Sequence, residues 1–345
     1  MATMPELTEF VPEQAAAEDW RRYHAFRRRQ GREWRPADPI APDDIAETRL
    51  RHGDSSRFEL RWQATEGHEI VSMLEAEAIR PGSPEYETNR HLLYAFAYVL
   101  GAHRRRGLGR AWVPIVLELM DRLGATIVTS SAEDEAGHAL LRELGGEPRM
   151  VERHSRLEMA GVDWDMVAAW VREGEERSPG ARLEIHPDRV PDAVLAEYAE
   201  AITELMNTMP FEGLDHGDIV VTPEQSREWY ARLARTASVV HTCVVRDADG
   251  AIVAATDVVK RGYEPGLVHQ NFTGVHPRVR GRRIGRWVKA AMLRHVLAAH
   301  PDTVAIVTEN AGSNRWMLAI NEELGFRRER IVTYYQVERD RLAGA

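Results

Sequence analysis

The chain has 345 residues, of which 43% are hydrophobic and 29% charged, and its formal net charge is −9. This length and composition predict a globular protein with two domains. The negative charge argues against a general nucleic-acid binder, and no run approaches the roughly 18 apolar residues of a membrane span. We therefore expect neither a nucleic-acid partner nor a membrane partner.

The single cysteine, Cys243, excludes an intramolecular disulfide and a multi-cysteine metal site. It lies in the apolar run VVHTCVV, where a buried, inert thiol is expected. We predict no metal site. The chain does not begin with a basic segment followed by an apolar one, so we expect a cytoplasmic location. Arginine is strongly preferred over lysine, which is typical of a GC-rich bacterial genome.

Hydrophobic periodicity and turn residues predict helices and strands in alternation, and therefore a mixed α/β fold. In the first half we predict, in chain order, a helix at 13–30, a short helix from Pro42, strands at 57–64, 69–79, 91–100 and 127–129, a helix at 132–144 and a closing strand at 156–159. In the second half we predict a helix at 163–176, a strand at 182–185, a helix at 191–207, a helix capped by Thr222, strands at 239–245, 251–259 and 267–273, a helix from Gly285, a strand at 304–308, a helix at 314–324 and a strand at 331–337.

The most informative stretch is TGVHPRVRGRRIGRWVKAAMLRHVL, residues 273–297. It reads as a strand, a tight arginine-rich loop and a helix N-terminus. Backbone N–H groups in the loop, the helix dipole and bidentate arginines together favour the binding of a pyrophosphate. Arginine-rich loops are also often only solvated surface.

The same arrangement occurs earlier in the chain, in GAHRRRGLGRAWVPIVLELMDRLG. Its loop glycine, Gly109, lies about half the chain before Gly285, and the downstream run RELGG (142–146) mirrors EELGF (322–326). Such a repeat predicts two copies of one α/β domain. We place the first domain at residues 1–162, a linker helix at 163–180 and the second domain at 181–345.

Both halves resemble GCN5-related N-acetyltransferase (GNAT) domains, whose signature is an Arg/Gln-x-x-Gly-x-Gly/Ala loop between the fourth strand and the third helix. Arg104, Gly107 and Gly109 match this signature fully. In the second half Arg280 and Gly285 match, but an arginine, residue 283, replaces the central glycine. The arrangement is similar to that of tandem acetyltransferases of actinobacteria, such as mycothiol synthase. The resemblance implies two tandem GNAT domains, each a mixed, mostly antiparallel sheet flanked by helices.

The resemblance also implies that acetyl-CoA, or another acyl-CoA, binds with its pyrophosphate on the loop. The expected cofactor-binding residues are Thr273, Gly274, Val275, Arg280, Gly281, Arg282, Arg283, Ile284, Gly285, Arg286 and Asn314 in the second half, and Arg104, Arg105, Arg106, Gly107, Leu108 and Gly109 in the first. Arg283 weakens the motif, but it need not block binding if its φ stays negative.

We predict that the second domain catalyses and that the first is a scaffold, with CoA binding by the first domain left open. Glu309 or His269 is the expected general base for an alkylammonium acceptor. Asn321 replaces a tyrosine that the family often uses as general acid, and Tyr334 or Tyr335 can substitute for it. Each of these residues also has a structural alternative. His269 can be a structural strand histidine and Glu309 a solvated acid at a strand end, and one of the two tyrosines is expected in the core.

An acidic loop in the second half suits a cationic amine, although it too can be merely solvated. Its expected substrate-binding residues are Glu212, Asp215, His216 and Asp218. The leading hypothesis is an N-acetyltransferase that transfers an acyl group directly, in a ternary complex, to the primary amine of a small metabolite or peptide, in specialised metabolism or self-resistance. The alternatives are a non-catalytic CoA-binding or ligand-sensing protein and, less favoured, an aminoacyl-tRNA-dependent transferase. The sequence does not predict the oligomeric state.

Overall fold

The computed structural model describes residues 5–345. The helices are α1 Ala17–Trp34, α2 Asp43–Arg51, α3 Tyr86–Asn89, α4 Leu108–Ala111, α5 Val113–Leu123, α6 Glu135–Glu143, α7 Trp164–Arg177, α8 Leu195–Met206, α9 Pro223–Arg235, α10 Ile284–Ala299, α11 Arg315–Leu324 and α12 Arg339–Gly344. The strands are β1 Glu6–Glu9, β2 Arg57–Glu66, β3 Glu69–Ile79, β4 Leu92–Val99, β5 Ile127–Ala132, β6 Glu147–Glu158, β7 Arg182–His186, β8 Val239–Arg246, β9 Ile252–Lys260, β10 Leu267–Val275, β11 Ala305–Ala311 and β12 Arg327–Glu338. Within this range, no helix is long and apolar enough to cross a membrane.

The chain forms two compact units, and neither is continuous in sequence. The first comprises the chain up to Arg149 together with Leu214–Gly217 and Thr333–Ala345. The second comprises Met150–Gly213 and Asp218–Val332. The sequence repeat instead suggests the continuous stretches 1–162 and 181–345, so the compact units differ from the repeat chiefly in the strand that ends each half.

The first unit has a sheet in the order β1-β2-β3-β4-β5-β12. All neighbouring strands in it are antiparallel except β4 and β5, which are parallel. One apolar cluster lies between this sheet and helices α4, α5 and α12, and a second lies under α1. The sheet is therefore covered by helices that bury two separate sets of apolar side chains.

The second unit has a sheet in the order β6-β11-β10-β9-β8-β7, in which only β10 and β11 are parallel. Helices α7 and α10 bury one apolar cluster, and α8 and α9 bury the other. Helices α7 and α10 pack closely at Gly174 of α7, where an added Cβ would lie within 2.4 Å of the Trp287 side chain of α10. The predicted linker helix is thus part of the core of this unit.

The mixed, mostly antiparallel fold predicted from the sequence is confirmed. The bounds of β3 match their prediction, and the predicted cap of α9 forms a full capping box between Thr222 and Gln225. The expectation that residues 156–159 close the first half is wrong. Strand β6 instead pairs with β11 through residues 152–158, and β12 pairs with β5 through residues 333–338. Local pattern predicts a strand but not its partner, which explains the error.

Candidate active site

Two loops carry the phosphate-binding motifs: the first loop, residues 104–109, and the second loop, residues 280–285. Each has two residues in the left-handed region of φ. In the first loop these are Arg105 at 60° and Gly107 at 84°, and in the second they are Gly281 at 82° and Arg283 at 66°. A negative φ was the condition under which Arg283 need not block binding, and this condition is not met. In each loop, one glycine and one arginine have a positive φ, and the two residue types occur in opposite order.

The first arginine of each motif fixes its loop to the end of the preceding strand. Arg104 Nε donates to the Val99 carbonyl at 3.0 Å, and Arg280 Nε donates to the Val275 carbonyl at 3.1 Å. These matching bonds give both arginines the same structural role and hold the two loops in similar conformations.

The last glycine of each motif allows a helix to pack against the loop. A Cβ at Gly109 would lie 2.6 Å from Cδ2 of Leu140 in α6, and a Cβ at Gly285 would lie 3.3 Å from Cδ1 of Ile320 in α11. The two halves therefore place corresponding helices beside their loops.

Three carboxylates occupy the hydrogen-bond donors of the first loop and its approach. Glu33 Oε2 accepts from the Gly101 N–H at 2.7 Å. Glu66 accepts two bonds from Arg106, at 2.6 and 3.2 Å, and Asp134 accepts from Arg104 at 2.7 Å. Two of the three arginines in the loop are thus neutralised, and Arg105 is the one that has no ion-pair partner among the described residues.

The helix after the first loop is also interrupted. Helix α4 spans only four residues, and α5 begins immediately after Trp112 with Pro114 near its start. Proline has no N–H to continue the helical hydrogen bonds, so it separates the two segments. A single short turn gives a weaker dipole at the loop than a long helix does.

The second loop is more open. Within the described residues, Arg282 has no ion-pair partner, and the guanidinium of Arg280 meets no carboxylate. Helix α10 runs without interruption for 16 residues, and its N-terminus has no side-chain cap. Its first N–H groups therefore lack intrahelical partners and point toward the loop.

Three other arginines near the second loop do have acidic partners. Arg278 pairs with Asp247 at 2.8 Å, residue 283 lies 3.7 Å from Glu173, and Arg286 pairs with Glu323. The open positive charge is thus concentrated at Arg280 and Arg282.

The strand that leads into the second loop separates from its parallel neighbour. Strands β10 and β11 pair from Leu267 and Ala305 to Gln270 and Thr308 and then diverge. The pairing of β10 with β9 shifts register between Gln270 and Thr273, which marks a bulge. On the β11 side, residues 271–275, which include the predicted Thr273, Gly274 and Val275, have no strand partner. Main-chain groups of this segment that point away from β9 are open to a ligand, apart from the Val275 carbonyl, which accepts from Arg280, and the Phe272 N–H, which is directed to Asp257.

An acid–base cluster begins where these strands diverge. Glu309 is the residue after the last β10–β11 pair, and it lies opposite His154 in the β6–β11 ladder. His154 Nδ1 is 3.1 Å from Glu309 Oε1, and its Nε2 is 3.1 Å from Glu152 Oε2. The side chain of Glu309 is 59% exposed, whereas that of His154 is buried.

The charge state of this cluster follows from its contacts. Burial alone would lower the pKa of His154, but the hydrogen bonds to Glu152 and Glu309 outweigh burial and raise the pKa to about 9. Arg330 Nη2 lies 3.0 Å from His154 Nδ1, and its positive charge opposes this rise. The imidazole is therefore protonated at neutral pH, between two carboxylates.

Solved structures share this architecture. A tandem GNAT protein from the clavulanic acid biosynthesis pathway, solved without acetyl-CoA, has a TM-score of 0.74 at 19% identity, covering 97% of this chain and 98% of that one. A GCN5-related N-acetyltransferase from Sphaerobacter thermophilus has a TM-score of 0.66 at 16% identity, covering 98% and 97%. The glucosamine N-acetyltransferase region of a fungal multi-domain GH3 β-N-acetylglucosaminidase has a TM-score of 0.66 at 12% identity, covering 98% of this chain and 38% of that one. The chain has the tandem GNAT fold. No family model and no curated protein matches it.

Within the tandem GNAT fold, the four predicted catalytic residues do not all meet. His269 lies on the paired part of β10 and bonds Glu264, a contact that helps hold the pKa of that buried carboxyl below its usual value against the effect of burial. Tyr334 lies in the first unit, where it pairs with Ser131 of β5, because β12 crosses between the units. The expectation that it joins Glu309 in one domain is wrong.

Asn321 and Asn314 both lie at helix α11, next to the diverging strands. Asn321 is only 2% exposed, and its Nδ2 donates to Asn310 Oδ1 at 2.6 Å. Its own Oδ1 is buried without a partner in the described chain. Asn314 caps α11 by accepting from the Met317 N–H at 3.3 Å, and Asp134 caps α6 in the same way.

The acidic loop is divided between the units. Glu212, in the second unit, accepts from the N–H groups of Val151 and Ser313 at 3.1 and 2.8 Å. Asp215 and His216 lie in the first unit, where Asp215 is 3.0 Å from His91. Asp218 lies in the second unit. Glu212 therefore holds backbone segments in place, and the four residues do not belong to one compact unit.

Sequence reasoning missed three polar residues of the second unit: Glu152, His154 and Asp257. Glu152 and His154 were assigned to the wrong half because β6, which was expected to close the first half, pairs with β11 of the second unit. Asp257 is buried beside the β10 bulge, where its carboxylate lies 3.5 Å from the Phe272 N–H. Burial raises its pKa to about 6 although that bond and one from Asn271 oppose the rise. A lone acid in the apolar run AIVAATDVV was the available signal for it.

Proposed function

We propose that this protein is an acyl-CoA-dependent N-acyltransferase whose second unit binds CoA and carries the catalytic groups. The observation that carries this proposal is the continuity of three features in one unit. The second loop has open positive charge, β10 leads from it along an open edge, and Glu309 lies where the strands diverge. The tandem GNAT fold supports the same reaction class.

The residues present fit the implied cofactor. A pyrophosphate needs cationic side chains and N–H donors, which Arg280, Arg282 and the start of α10 offer without a competing acid. When bound, CoA supplies an acyl group activated as a thioester. Apart from that of Phe272, the N–H groups of residues 271–275 that point away from β9 are the donors available to polarise a carbonyl beside them.

The acid–base groups of this chain would attract the amine and remove its proton. The exposed carboxylate of Glu309 attracts an alkylammonium, which must lose a proton before it can act as a nucleophile. When His154 is neutral, Glu309 can accept that proton and pass it to the imidazole, which then returns to its protonated, doubly paired form. Glu152 holds the other ring nitrogen and fixes the ring in position.

The acceptor class is a finer proposal. We infer the primary amine of a small metabolite or peptide, because Glu309 offers a negative charge where the strands open. A role in specialised metabolism is suggested by the clavulanic acid pathway protein, whose likeness to this chain concerns the fold.

A CoA-binding protein without turnover is the second candidate. It is favoured by Asn321, an amide that cannot donate a proton to a leaving thiolate and that is already bonded to Asn310. It is also favoured by the protonated state of His154 at neutral pH.

Two measurements test these proposals. Isothermal titration with acetyl-CoA should give one site per chain, and no heat at high micromolar ligand would refute both candidates. Thiol release from acetyl-CoA should then be followed with a panel of primary amines at pH 7 to 10. Turnover with any amine supports the enzyme, whereas binding without turnover across the panel supports the binding protein.

A further inference from the structure

Trp316 is the most exposed large apolar side chain in the part of the chain that the structure describes, at 71%. It is the second residue of α11. Scattered apolar residues on a surface are ordinary, but a tryptophan carries the largest apolar area of any side chain and usually buries most of it. The position of this one is therefore informative.

Helix geometry places Trp316 on the face of α11 that meets the second loop. Ile320, one turn later, is the residue whose Cδ1 would lie 3.3 Å from a Cβ at Gly285. Residues four apart on a helix are neighbours, with about 6 Å between their Cβ atoms. Helical side chains also lean toward the N-terminus, so Trp316 extends this face outward, past the loop.

A cation lies beside the exposed ring. The guanidinium carbon of Arg315 is 4.8 Å from the Trp316 ring centroid. Among the described residues, Arg315 has no carboxylate partner. An exposed indole next to an unpaired guanidinium offers a stacking surface and a phosphate ligand side by side.

We propose that Trp316 stacks on the adenine of CoA and that Arg315 binds its 3′-phosphate. The inference rests on the proposed function, because it takes the pyrophosphate to lie on the second loop. The nucleotide end of CoA continues beyond its pyrophosphate, so a base and a phosphate must be accommodated outside that loop. Trp316 and Arg315 match both groups in chemistry and lie on the helix that flanks the loop.

The first unit provides a control pair whose arginine, unlike Arg315, is held by a carboxylate, that of Glu133. Trp34 is also exposed, at 43%, and Arg35 lies 4.0 Å from its ring. This pair belongs to the unit whose loop is occupied by carboxylates. If exposed Trp–Arg pairs affected binding only through general surface properties, W34A and W316A would change the affinity for acetyl-CoA equally.

The test compares dissociation constants of three probes by isothermal titration: acetyl-CoA, acetyl-3′-dephospho-CoA and S-acetyl-pantetheine. We expect W316A to weaken acetyl-CoA about tenfold, since loss of one base–aromatic stack has effects of that order. W316F should retain most of the affinity. R315A should weaken acetyl-CoA but leave acetyl-3′-dephospho-CoA unchanged, and neither variant should change the binding of S-acetyl-pantetheine.

Each remaining outcome is decisive. Wild-type affinity of W316A for acetyl-CoA, with melting temperatures unchanged, would overturn the stacking proposal while leaving the proposed function intact. An equal loss in W34A would overturn it as well. Failure of the wild-type protein to bind acetyl-CoA would instead refute the proposed function.

Discussion

The first and second loops have nearly the same backbone and opposite electrostatic surroundings. The first matches the family signature at all its defining positions, yet Glu66 and Asp134 pair with two of its three arginines and Pro114 interrupts its helix. The second carries an arginine in place of a glycine, yet its donors are open. The better sequence match therefore belongs to the loop that is less able to accept an anion.

This contrast shows that a phosphate-binding motif depends on residues outside it. Glu33 and Glu66 lie far from the first loop in sequence, on α1 and β2, and reach it only through the fold. A charge already paired inside the protein must lose its partner before it can bind a ligand, which weakens any gain in affinity. The motif positions themselves do not reveal this competition.

The largest difference between the two units should appear in catalysis. We expect E309Q to lower kcat about a hundredfold, as the loss of a general base commonly does, with acetyl-CoA affinity unchanged. The matched variant is S130A on β5, because Ser130 is the residue after the last β4–β5 pair and the run IVTSSA has no carboxylate. Thiol release measures the rate, and titration measures affinity. An S130A defect equal to that of E309Q would place catalysis in the first unit.

The pH profile should locate the base more closely. Because His154 pairs with two carboxylates and has a pKa of about 9, kcat/KM should rise about fivefold from pH 8 to pH 9 and level off near pH 10. With the same amine, H154Q should lose the rise in kcat/KM near pH 9. The ionisation of the amine affects both proteins equally, so a difference between the two profiles reports on His154. Superimposable profiles would exclude His154 as the titrating group.

The same residue gives a stability test with a defined sign. The folded-state pKa of His154 lies above its ordinary value of 6.5, so its pairing stabilises the fold below about pH 6.5 and is lost as pH rises through 9. The free energy of unfolding should therefore fall in H154Q at about pH 6, and the difference from wild type should shrink toward pH 10. Denaturant titrations at both pH values measure it.

Substitutions at matching positions of the two loops should have different effects on acetyl-CoA affinity. We expect R282A to weaken acetyl-CoA about tenfold, the scale of one charge-assisted hydrogen bond, because Arg282 has no acid partner in the described chain. R106A should have no effect, because Glu66 already holds Arg106. Titration of both variants measures this, and a loss confined to R106A would move the CoA site to the first loop.

The sequence predicts the fold well because its signals are local. The apolar alternation of β3, the capping box at Thr222 and the repeated loops each depend on neighbouring residues, and each is confirmed. The partner of a strand is a non-local property. Strand β6 therefore had the right type and the wrong neighbour, and β1 was too short to detect.

The site was less predictable for the same reason. Glu309 could be chosen from its place at a strand end, but its contact with His154 depends on the changed pairing of β6. Asn321 could be aligned with the family tyrosine, but its burial and its bond to Asn310 depend on how α11 packs. Side-chain partners across elements are set by packing, which a single sequence does not specify.

The smallest expected effect concerns the strained arginine in each loop. A non-glycine residue in the left-handed region costs roughly 1–2 kcal/mol, and part of this is offset because glycine loses more entropy on folding. We expect both R283G and R105G to raise the free energy of unfolding by about 0.5–1 kcal/mol, measured by denaturant titration. If the backbone of the second loop binds the pyrophosphate, R283G should also keep its acetyl-CoA affinity. A tenfold loss in R283G alone would mean that the strain holds the Arg283 side chain toward the ligand, and the arginine would then be a binding residue rather than a weakened motif position.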